Sequence, residues 1–400
     1  MSAYDSSLPV ASAGRKIGLS IAILAFSAFL IVTTEFLIVG LLPALARDLD
    51  ISDISISMAG QLVTLFAFTV MIFGPPLTAA LSHFDRKKLF IAILLLFAAA
   101  NALAAASTNF WVLAIARILP ALMLPVFWGT ASETAGKLAG PQAAGQAISK
   151  VYLGISAAML LGIPLGTVAA NAIGWRGAFW ILAALSLIMA AAILACMPTV
   201  ERTAKVDFLK QARIFREPFF LANVTLSVVV FTAMFVAYTY LADLLERVAG
   251  VQPDYVGWWL MGFGAIGLVG NWIGGKTVDK SPIGASALFL VLLAIGMAAI
   301  VPLVQAGIVF CLALGLWGIA NTALYPISQV RVMSSVSHSQ ALAGTTNVSA
   351  ATNAGIGLGA IIGGMTITQL GVESLGYVAA AVALIALALI PLVSRLAPRP

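Results

Sequence analysis

Long apolar runs follow one another along nearly the whole chain, and this pattern constrains the fold more than any motif. Of the 400 residues, 62% are hydrophobic and 9% are charged, whereas soluble domains carry about 25% charged residues. So few charges cannot cover the surface of a soluble core. The runs are rich in Ala, Leu, Ile and Val and lack the alternation of barrel strands. The chain is therefore predicted to be an all-α, multi-pass membrane protein.

Twelve apolar segments are long enough to cross about 30 Å of hydrocarbon at about 1.5 Å per residue. They lie near 17–45, 55–82, 89–106, 110–136, 146–171, 177–197, 219–245, 254–275, 283–305, 308–331, 342–369 and 375–394. Segment 1 is too long for a signal-peptide core and contains Glu35, so it is expected to remain as the first helix.

The distribution of basic residues predicts the orientation. Seventeen of the 21 fall on the side of the amino terminus, three fall in the opposite loops, and Arg117 falls within segment 4. The three opposite residues are Arg47, Arg176 and Arg247. Because basic loops stay in the cytoplasm, both termini are predicted to be cytoplasmic. The net charge of +6 is thus read as an orientation signal, and no nucleic-acid partner is expected.

The longest polar stretch divides the segments six and six. It predicts an amino-terminal half at 1–198, a cytoplasmic linker at 199–218 and a carboxyl-terminal half at 219–400. A weak internal repeat supports this division, because Gly60 opens segment 2 as Gly257 opens segment 8. Parallel repeats of six helices are one way in which transporters build a site near the membrane midplane.

Glu35 in segment 1 and Arg117 in segment 4 are two opposite charges at comparable depths in the first half. Ionisable residues within a membrane are costly, face the interior and mark functional sites. One interpretation is proton coupling, in which protonation of Glu35 weakens its tie to Arg117 or to backbone donors. A static ion pair between the two helices is the second interpretation, and direct binding of a polar substrate by Arg117 is the third.

Neither an enzyme nor a metal site is predicted. His83 and His338 are far apart in loops, and the two cysteines, Cys196 and Cys311, lie in apolar runs. No phosphate-binding Gly-Lys-Ser/Thr loop is present, so ATP is not the expected energy source. No cofactor is expected, and a proton gradient is the predicted source of energy.

Six short motifs occur in order along the chain. They are Thr33-Thr34-Glu35-Phe36 with Gly40 and Pro43, the loop 83–89, Arg117, the set Gly154, Gly162, Pro164 and Gly166, the triplet Gly174-Trp175-Arg176, and Asn353-Ala354-Gly355 through Gly363-Gly364. In this order and spacing they resemble the major facilitator superfamily. Within it, they are most similar to the twelve-helix drug:proton antiporters and to their branch of sugar (arabinose-type) efflux permeases.

The resemblance implies a major facilitator fold of twelve transmembrane helices, in two six-helix halves around a central cavity. It implies a proton-coupled secondary transporter that exports a small organic compound, a sugar, metabolite or drug, by alternating access. The expected location is the bacterial inner membrane, and a monomer in the lipid bilayer is expected. The alternatives are a lipophilic multidrug exporter, a facilitator without proton coupling, and a membrane sensor or partner protein that transports nothing.

Two of the motifs imply a conformational switch. In the family, the loop between helices 2 and 3 latches the two halves, which assigns this role to Asp85, Arg86 and Lys87. Here Thr78, Ser82, His83 and Asp85 replace the usual residues, so a plain positive-inside anchor stays an alternative. For Gly154, Gly162, Pro164 and Gly166, the family implies a hinge and seal, and close helix packing is the alternative.

Substrate contacts are expected from polar, aromatic or thioether side chains deep in the segments. The candidates are Thr34, Trp128, Met159, Tyr238, Trp317, Asn321, Tyr325, Asn347 and Asn353. An amide in hydrocarbon requires a hydrogen-bond partner, which is either another helix or a ligand. The family resemblance favours Asn321 and Asn353, because helices 10 and 11 contribute to its cavity.

Overall fold

The structure is a computed structural model that describes residues 10–48, 56–81, 83–140, 143–198, 200, 212–278, 280–337 and 340–397. Within these ranges every regular element is a helix. The uninterrupted helices are α1 Val10–Asp48, α2 Ile56–Leu81, α3 Arg86–Ala105, α4 Phe110–Ala139, α8 Pro253–Val278, α9 Pro282–Ala299, α10 Ile308–Met333 and α12 Leu375–Arg395. The all-α prediction is confirmed.

Breaks occur within or between the remaining four crossings. Helices α5 (144–173) and α6 (175–196) are separated by Gly174, whose φ of +80° is not helical. Helix α7 consists of Pro218–Tyr238 and Leu241–Arg247, joined by a turn at residues 239–240. Helix α11 consists of Gln340–Thr345, the π-helical turn Thr346–Ala351 and Thr352–Leu370.

The bend at Gly174 determines the number of crossings. The described residues contain 11 apolar helical runs, and one of them, Lys150–Cys196, has 47 residues. A straight helix of that length would measure about 70 Å, more than twice the hydrocarbon thickness. The bend therefore divides this run into α5 and α6, and the chain crosses the membrane twelve times.

Packing partners repeat six helices later. In the first half, α3 packs against α4 and the run 163–196, while α1 packs against residues 144–162 and the same run, which contains α6. In the second half, α9 packs against α10 and α12, while α7 packs against α11 and α12. The two six-helix halves are thus built on one plan, as predicted. The linker 199–218 lies largely outside the described residues, and its limits remain a prediction.

A sequence repeat follows the structural one. Residues 154–166 read GISAAMLLGIPLG and residues 347–359 read NVSAATNAGIGLG, with 7 identical positions. Each segment contains or adjoins a π-helical turn, at Ala158–Gly162 in α5 and at Thr346–Ala351 in α11. The equivalent glycines face equivalent helices: Gly162 adjoins Thr33 of α1, and Gly355 adjoins Phe231 of α7.

The two halves meet mainly along three helix pairs: α1 with α7, α2 with α11, and α5 with α8. Glycines permit the close approach. A Cβ at Gly60 of α2 would collide with the Tyr240 ring, and a Cβ at Gly257 of α8 would lie 2.9 Å from the Pro164 carbonyl oxygen. The two glycines that marked the internal repeat therefore both lie at contacts between the halves.

The halves are bonded together on the side where α1 ends, which the charge pattern predicts to be external. Arg47 Nη1 of α1 donates to Glu246 Oε2 of α7 at 2.7 Å, and Asn171 Nδ2 of α5 donates to the Pro253 carbonyl at 2.6 Å. We call these two bonds and the Gly60–Tyr240 contact the external seal.

Toward the opposite side, α5 and α8 turn to partners in their own halves. Gly154 of α5 packs on the α1 backbone at Ala25, while Gly270 and Gly274 of α8 pack on α10. Alternating access requires one side to close while the other opens. The structure therefore represents the form that is closed at the external seal.

Reversing one charge of the seal should favour the open form. Arg47→Glu places two carboxylates together, and a single exposed ion pair of this kind contributes about 1 kcal/mol or less. We expect a shift of up to about fivefold in the ratio of closed to open molecules. Disulfide cross-linking between cysteines introduced at the external ends of α5 and α8 measures that ratio. The double swap Arg47→Glu/Glu246→Arg should restore it, and failure to restore it would contradict this role.

Candidate functional site

Arg117 is buried in the first half and is bound by the backbone of α1. Its side chain is 1% exposed, and its Nη1 and Nη2 donate to the carbonyl oxygens of Thr34 and Glu35 at 2.5 and 2.6 Å. The guanidinium also lies over the Phe66 ring of α2, 4.5 Å from its centroid. The guanidinium is thus stacked on an aromatic face and bound to two carbonyls without a carboxylate, while its Nε has no hydrogen-bond partner within the described residues.

The Glu35 carboxylate is therefore not the hydrogen-bond acceptor of Arg117. Glu35 is half-buried, and within the described residues it has no ion-pair partner at 4.0 Å or less. The expected ion pair of side chains is replaced by a bond from side chain to backbone, because the guanidinium reaches the carbonyls. Glu35 interacts electrostatically with Arg117 on one side and with Tyr325 of α10 on the other. It is thus within electrostatic range of a cation of its own half and of a hydroxyl of the other half.

Asn101 completes the polar group around Arg117. Its side chain in α3 is 1% exposed, and its Nδ2 donates to Thr34 Oγ1 at 3.2 Å. Thr34 is equally buried and uses both its hydroxyl and its carbonyl in this network. Thr34, a substrate candidate by sequence, is therefore placed within the first half as a link between α1, α3 and α4.

Tyr238, Met159 and Tyr325 meet where the halves face each other. The Tyr238 hydroxyl contacts Met159 Sδ at 3.9 Å, which joins α7 to α5. The Tyr325 ring lies 5.0 Å from Phe231 of α7, and its buried hydroxyl has no hydrogen-bond partner within the described residues. Tyr238 and Met159 therefore lie at the boundary between the halves, and Tyr325 is within electrostatic range of Glu35.

Three buried asparagines each leave an amide oxygen without a partner within the described residues. Asn321, Asn347 and Asn353 are at most 4% exposed. Asn347 Nδ2 donates to Gln329 Oε1 at 2.9 Å, and Asn353 Nδ2 donates to the Val348 carbonyl at 3.0 Å. A buried polar atom without a partner costs free energy, so these oxygens are candidate acceptors for a bound compound.

The two tryptophan candidates lie in different environments. Trp317 is fully buried in the second half, where its ring packs edge-on against Phe263 at 5.3 Å and its backbone adjoins Gly296 of α9. Trp128 is half-buried in α4, and its ring lies 5.0 Å from Tyr152 of α5. The structure therefore places Trp317 in a packed core and Trp128 beside an exposed ring.

The loop residues proposed as a latch serve the first half in this structure. Asp85 Oδ1 caps α3 by accepting from the Lys88 backbone N–H at 3.0 Å. Arg86 is 1% exposed, and its Nη2 donates to Glu133 Oε2 of α4 at 2.8 Å, while Lys87 is half-buried. The Asp85 bond caps α3, and the Arg86–Glu133 bond joins α3 to α4 within the first half.

The glycines of α5 allow α1 to approach its backbone. A Cβ at Gly154, Gly162 or Gly166 would collide with Ala25, Thr33 or Leu37 of α1, respectively. Pro164 is buried and lies two residues after the π-helical turn Ala158–Gly162. Close packing is thus established for these glycines, and π-helical turns are common at functional sites.

The sequence does not predict the contacts of four polar residues, Asn101, Glu133, Asp243 and Arg331. Asn101 is the single amide within its apolar run. Glu133 and Asp243 lie near the ends of segments 4 and 7, where the sequence predicts contact with water, yet Asp243 is 1% exposed. Arg331 is the last residue of segment 10, where a basic residue is predicted to face the cytoplasm, yet it is 3% exposed. Arg331 donates to the Asn223 carbonyl, to Asn223 Oδ1 and to Ser227 Oγ at 2.8–3.0 Å. An isolated polar residue in an apolar run was the available signal for Asn101.

The chain covers nearly the full length of known transport proteins. It is 32% identical over 384 residues to the inner membrane transport protein YdhP of Escherichia coli K12, spanning 96% of this chain and 98% of that protein. It is also 32% identical over 353 residues to the MFS-type transporter YtbD of Bacillus subtilis, spanning 87% of this chain and 88% of YtbD.

Solved structures confirm the fold. The bacterial homologue of the human lysosomal transporter Spinster, in its inward-facing and unoccupied conformation, superposes with a TM-score of 0.81 at 15% identity, over 98% of each chain. The sequence model of the Major Facilitator Superfamily matches residues 24–347 and 250–400. The chain therefore belongs to the Major Facilitator Superfamily, as a multi-pass membrane transporter of small molecules and not an enzyme.

Proposed function

We propose that this transporter exports a small organic compound in exchange for protons, and that Glu35 is its proton carrier. The observation that supports this proposal is the separation of the two membrane charges. Arg117 is bound by the α1 backbone, whereas the Glu35 carboxyl is half-buried and has no ion-pair partner within the described residues. A carboxyl that is not held in an ion pair remains able to gain and lose a proton.

The same geometry links protonation of Glu35 to the conformation of the protein. The guanidinium of Arg117 binds the carbonyls of residues 34 and 35, so it lies beside the Glu35 side chain. Neutralising Glu35 removes the attraction between them, and it also changes the interaction with Tyr325 across the boundary. A proton that binds one conformation better than the other shifts the equilibrium between them. Proton entry and substrate exit are coupled in this way.

A polar substrate is favoured by the unpartnered acceptors of the second half. Asn321, Asn347 and Asn353 offer amide oxygens, and Tyr325 offers a hydroxyl. A compound with several O–H or N–H groups, such as a sugar or a related metabolite, would satisfy them. The glycine-rich π-helical turn of α5 is proposed as the hinge, and the 85–87 loop as the latch of the form open at the external seal.

Lipophilic drugs are a second candidate class, which an aromatic group at the boundary favours. Phe36 of α1 lies 6.0 Å from Phe235 of α7, and Tyr238 is stacked on Phe263 of α8 at 5.8 Å. Aromatic faces of this kind bind apolar rings. Flux into and out of proteoliposomes under an imposed pH gradient, with sugars, nucleosides and drugs in parallel, distinguishes the two classes and establishes the direction.

Glu35→Gln should abolish proton-driven accumulation of substrate while binding remains measurable, because the amide keeps the shape but does not exchange a proton. Proteoliposome flux with and without a pH gradient measures the first effect, and equilibrium binding measures the second. Asp254→Asn is the matched control, since this exposed acid lies at the start of α8. Undiminished uphill transport by Glu35→Gln would contradict the proposal.

Arg117→Lys should lower the thermal stability of the protein, because an ammonium cannot span two carbonyls while stacked on Phe66. Each lost hydrogen bond from a charged donor is worth about 1.5–3 kcal/mol. Thermal unfolding in detergent measures the change, with Arg213→Lys on the exposed surface as control. An unchanged melting temperature combined with a raised KM would instead indicate that Arg117 binds the substrate.

Tyr325→Phe should weaken substrate binding about tenfold without destabilising the fold, because the deleted hydroxyl has no partner within the described residues. Tyr240→Phe is the contrasting variant, since its hydroxyl donates to the Ala360 carbonyl at 2.8 Å and its loss should destabilise the protein. Binding titrations and thermal unfolding of both variants provide the test. Unchanged substrate affinity in Tyr325→Phe would exclude this hydroxyl from the substrate site.

A further inference from the structure

Asp243 is a buried acid that the proposed coupling through Glu35 does not use. It lies in the short helix Leu241–Arg247 that follows the turn in α7, and it is 1% exposed. Its Oδ2 accepts from Arg247 Nη1 at 3.3 Å, whereas its buried Oδ1 has no hydrogen-bond partner within the described residues. The Arg247 side chain is 51% exposed. A single hydrogen bond of 3.3 Å to a solvent-exposed guanidinium offsets only part of the desolvation cost of a buried carboxylate.

This acid is located at the external seal. The short helix packs against α1, α8 and the turn Val372–Ser374. Three residues after Asp243, Glu246 forms the ion pair with Arg47 that joins the two halves. Separation of α1 from α7 at this point would expose the short helix to water. Of the three packing elements only α1 belongs to the first half, so opening of the seal would remove that one cover from the helix that carries Asp243.

Few titratable groups face Asp243 from the surrounding elements. Its own helix contributes Glu246, Arg247 and the preceding Tyr240, and α1 contributes Arg47. The other packed elements contribute Asp48 at the end of α1, Asp254 and Tyr255 at the start of α8, and Glu373 in the turn. Within the described residues, only Arg247 forms an ion pair with Asp243. Asp48 instead accepts from Trp175 and Arg176 of α6.

We propose that Asp243 is a second proton-binding site, and that protonation there favours closure of the external seal. In the open form water solvates the carboxylate, whereas in the closed form its ionised state is buried with an unpartnered oxygen. The closed form therefore binds the proton more tightly. By linkage, low pH stabilises the closed form, and this stabilisation is lost as the pH rises. The site lies at the seal, apart from Glu35, and does not depend on the direction of transport.

The test measures closure directly, on the full chain in lipid nanodiscs. Spin labels on Trp111→Cys at the start of α4 and Ile308→Cys at the start of α10 report the distance between the halves. Both positions are exposed, at 68% and 76%, and the two native cysteines are replaced by serine. The background is Glu35→Gln, so a response to pH cannot come from the proposed coupling carboxyl. Distance distributions are recorded from about pH 5 to about pH 9, a range that covers shifted carboxyls.

We expect the ratio of closed to open molecules to fall at least about fivefold as the pH rises. Asp243→Asn should remain closed at every pH, Asp243→Glu should keep a pH response, and Asp254→Asn should behave like its parent. A parent without any pH response, or an Asp243→Asn variant that keeps the parent's response, would overturn the proposal. Since the flux test of Glu35 is a separate experiment, failure of either proposal is recognised independently.

Discussion

A guanidinium inside the membrane needs acceptors, and here the backbone of α1 supplies them. Arg117 bonds to two successive carbonyls, at residues 34 and 35, and stacks on Phe66. With Asn101 on Thr34, this network ties α1, α2, α3 and α4 together. Those helices cannot separate without leaving buried donors unsatisfied, which would cost several kcal/mol. The first half is therefore suited to move as one body, with the Glu35 side chain left outside the network.

The boundary between the halves is held differently. Its close contacts rely on Gly60 and Gly257, which leave room for the Tyr240 ring and for the α5 backbone at Pro164. The seal adds a partly exposed ion pair between Arg47 and Glu246 and one hydrogen bond from Asn171. Exposed bonds of this kind contribute little stability each. Strong networks within a half and weak bonds between halves are what a reversible rigid-body motion requires.

Most of the fold could be predicted from the sequence, because membrane crossings depend on length and apolar content alone. Side-chain partners could not. Depth along a helix placed Glu35 and Arg117 at similar levels, but the choice between carboxylate and carbonyl depends on rotation about the helix axis and on side-chain reach. Asp243 stood near a helix end, where water is expected, and the packing of three other elements removes that water. Those contacts have no local signature.

The shared plan of the halves makes their differences informative. Since Gly162 adjoins Thr33 as Gly355 adjoins Phe231, the position equivalent to Glu35 in the second half is Ala233, which is fully buried. The two halves thus carry a carboxyl at one of these equivalent positions and a methyl group at the other. Although the halves share one packing plan, they are electrically unlike at this level of the membrane.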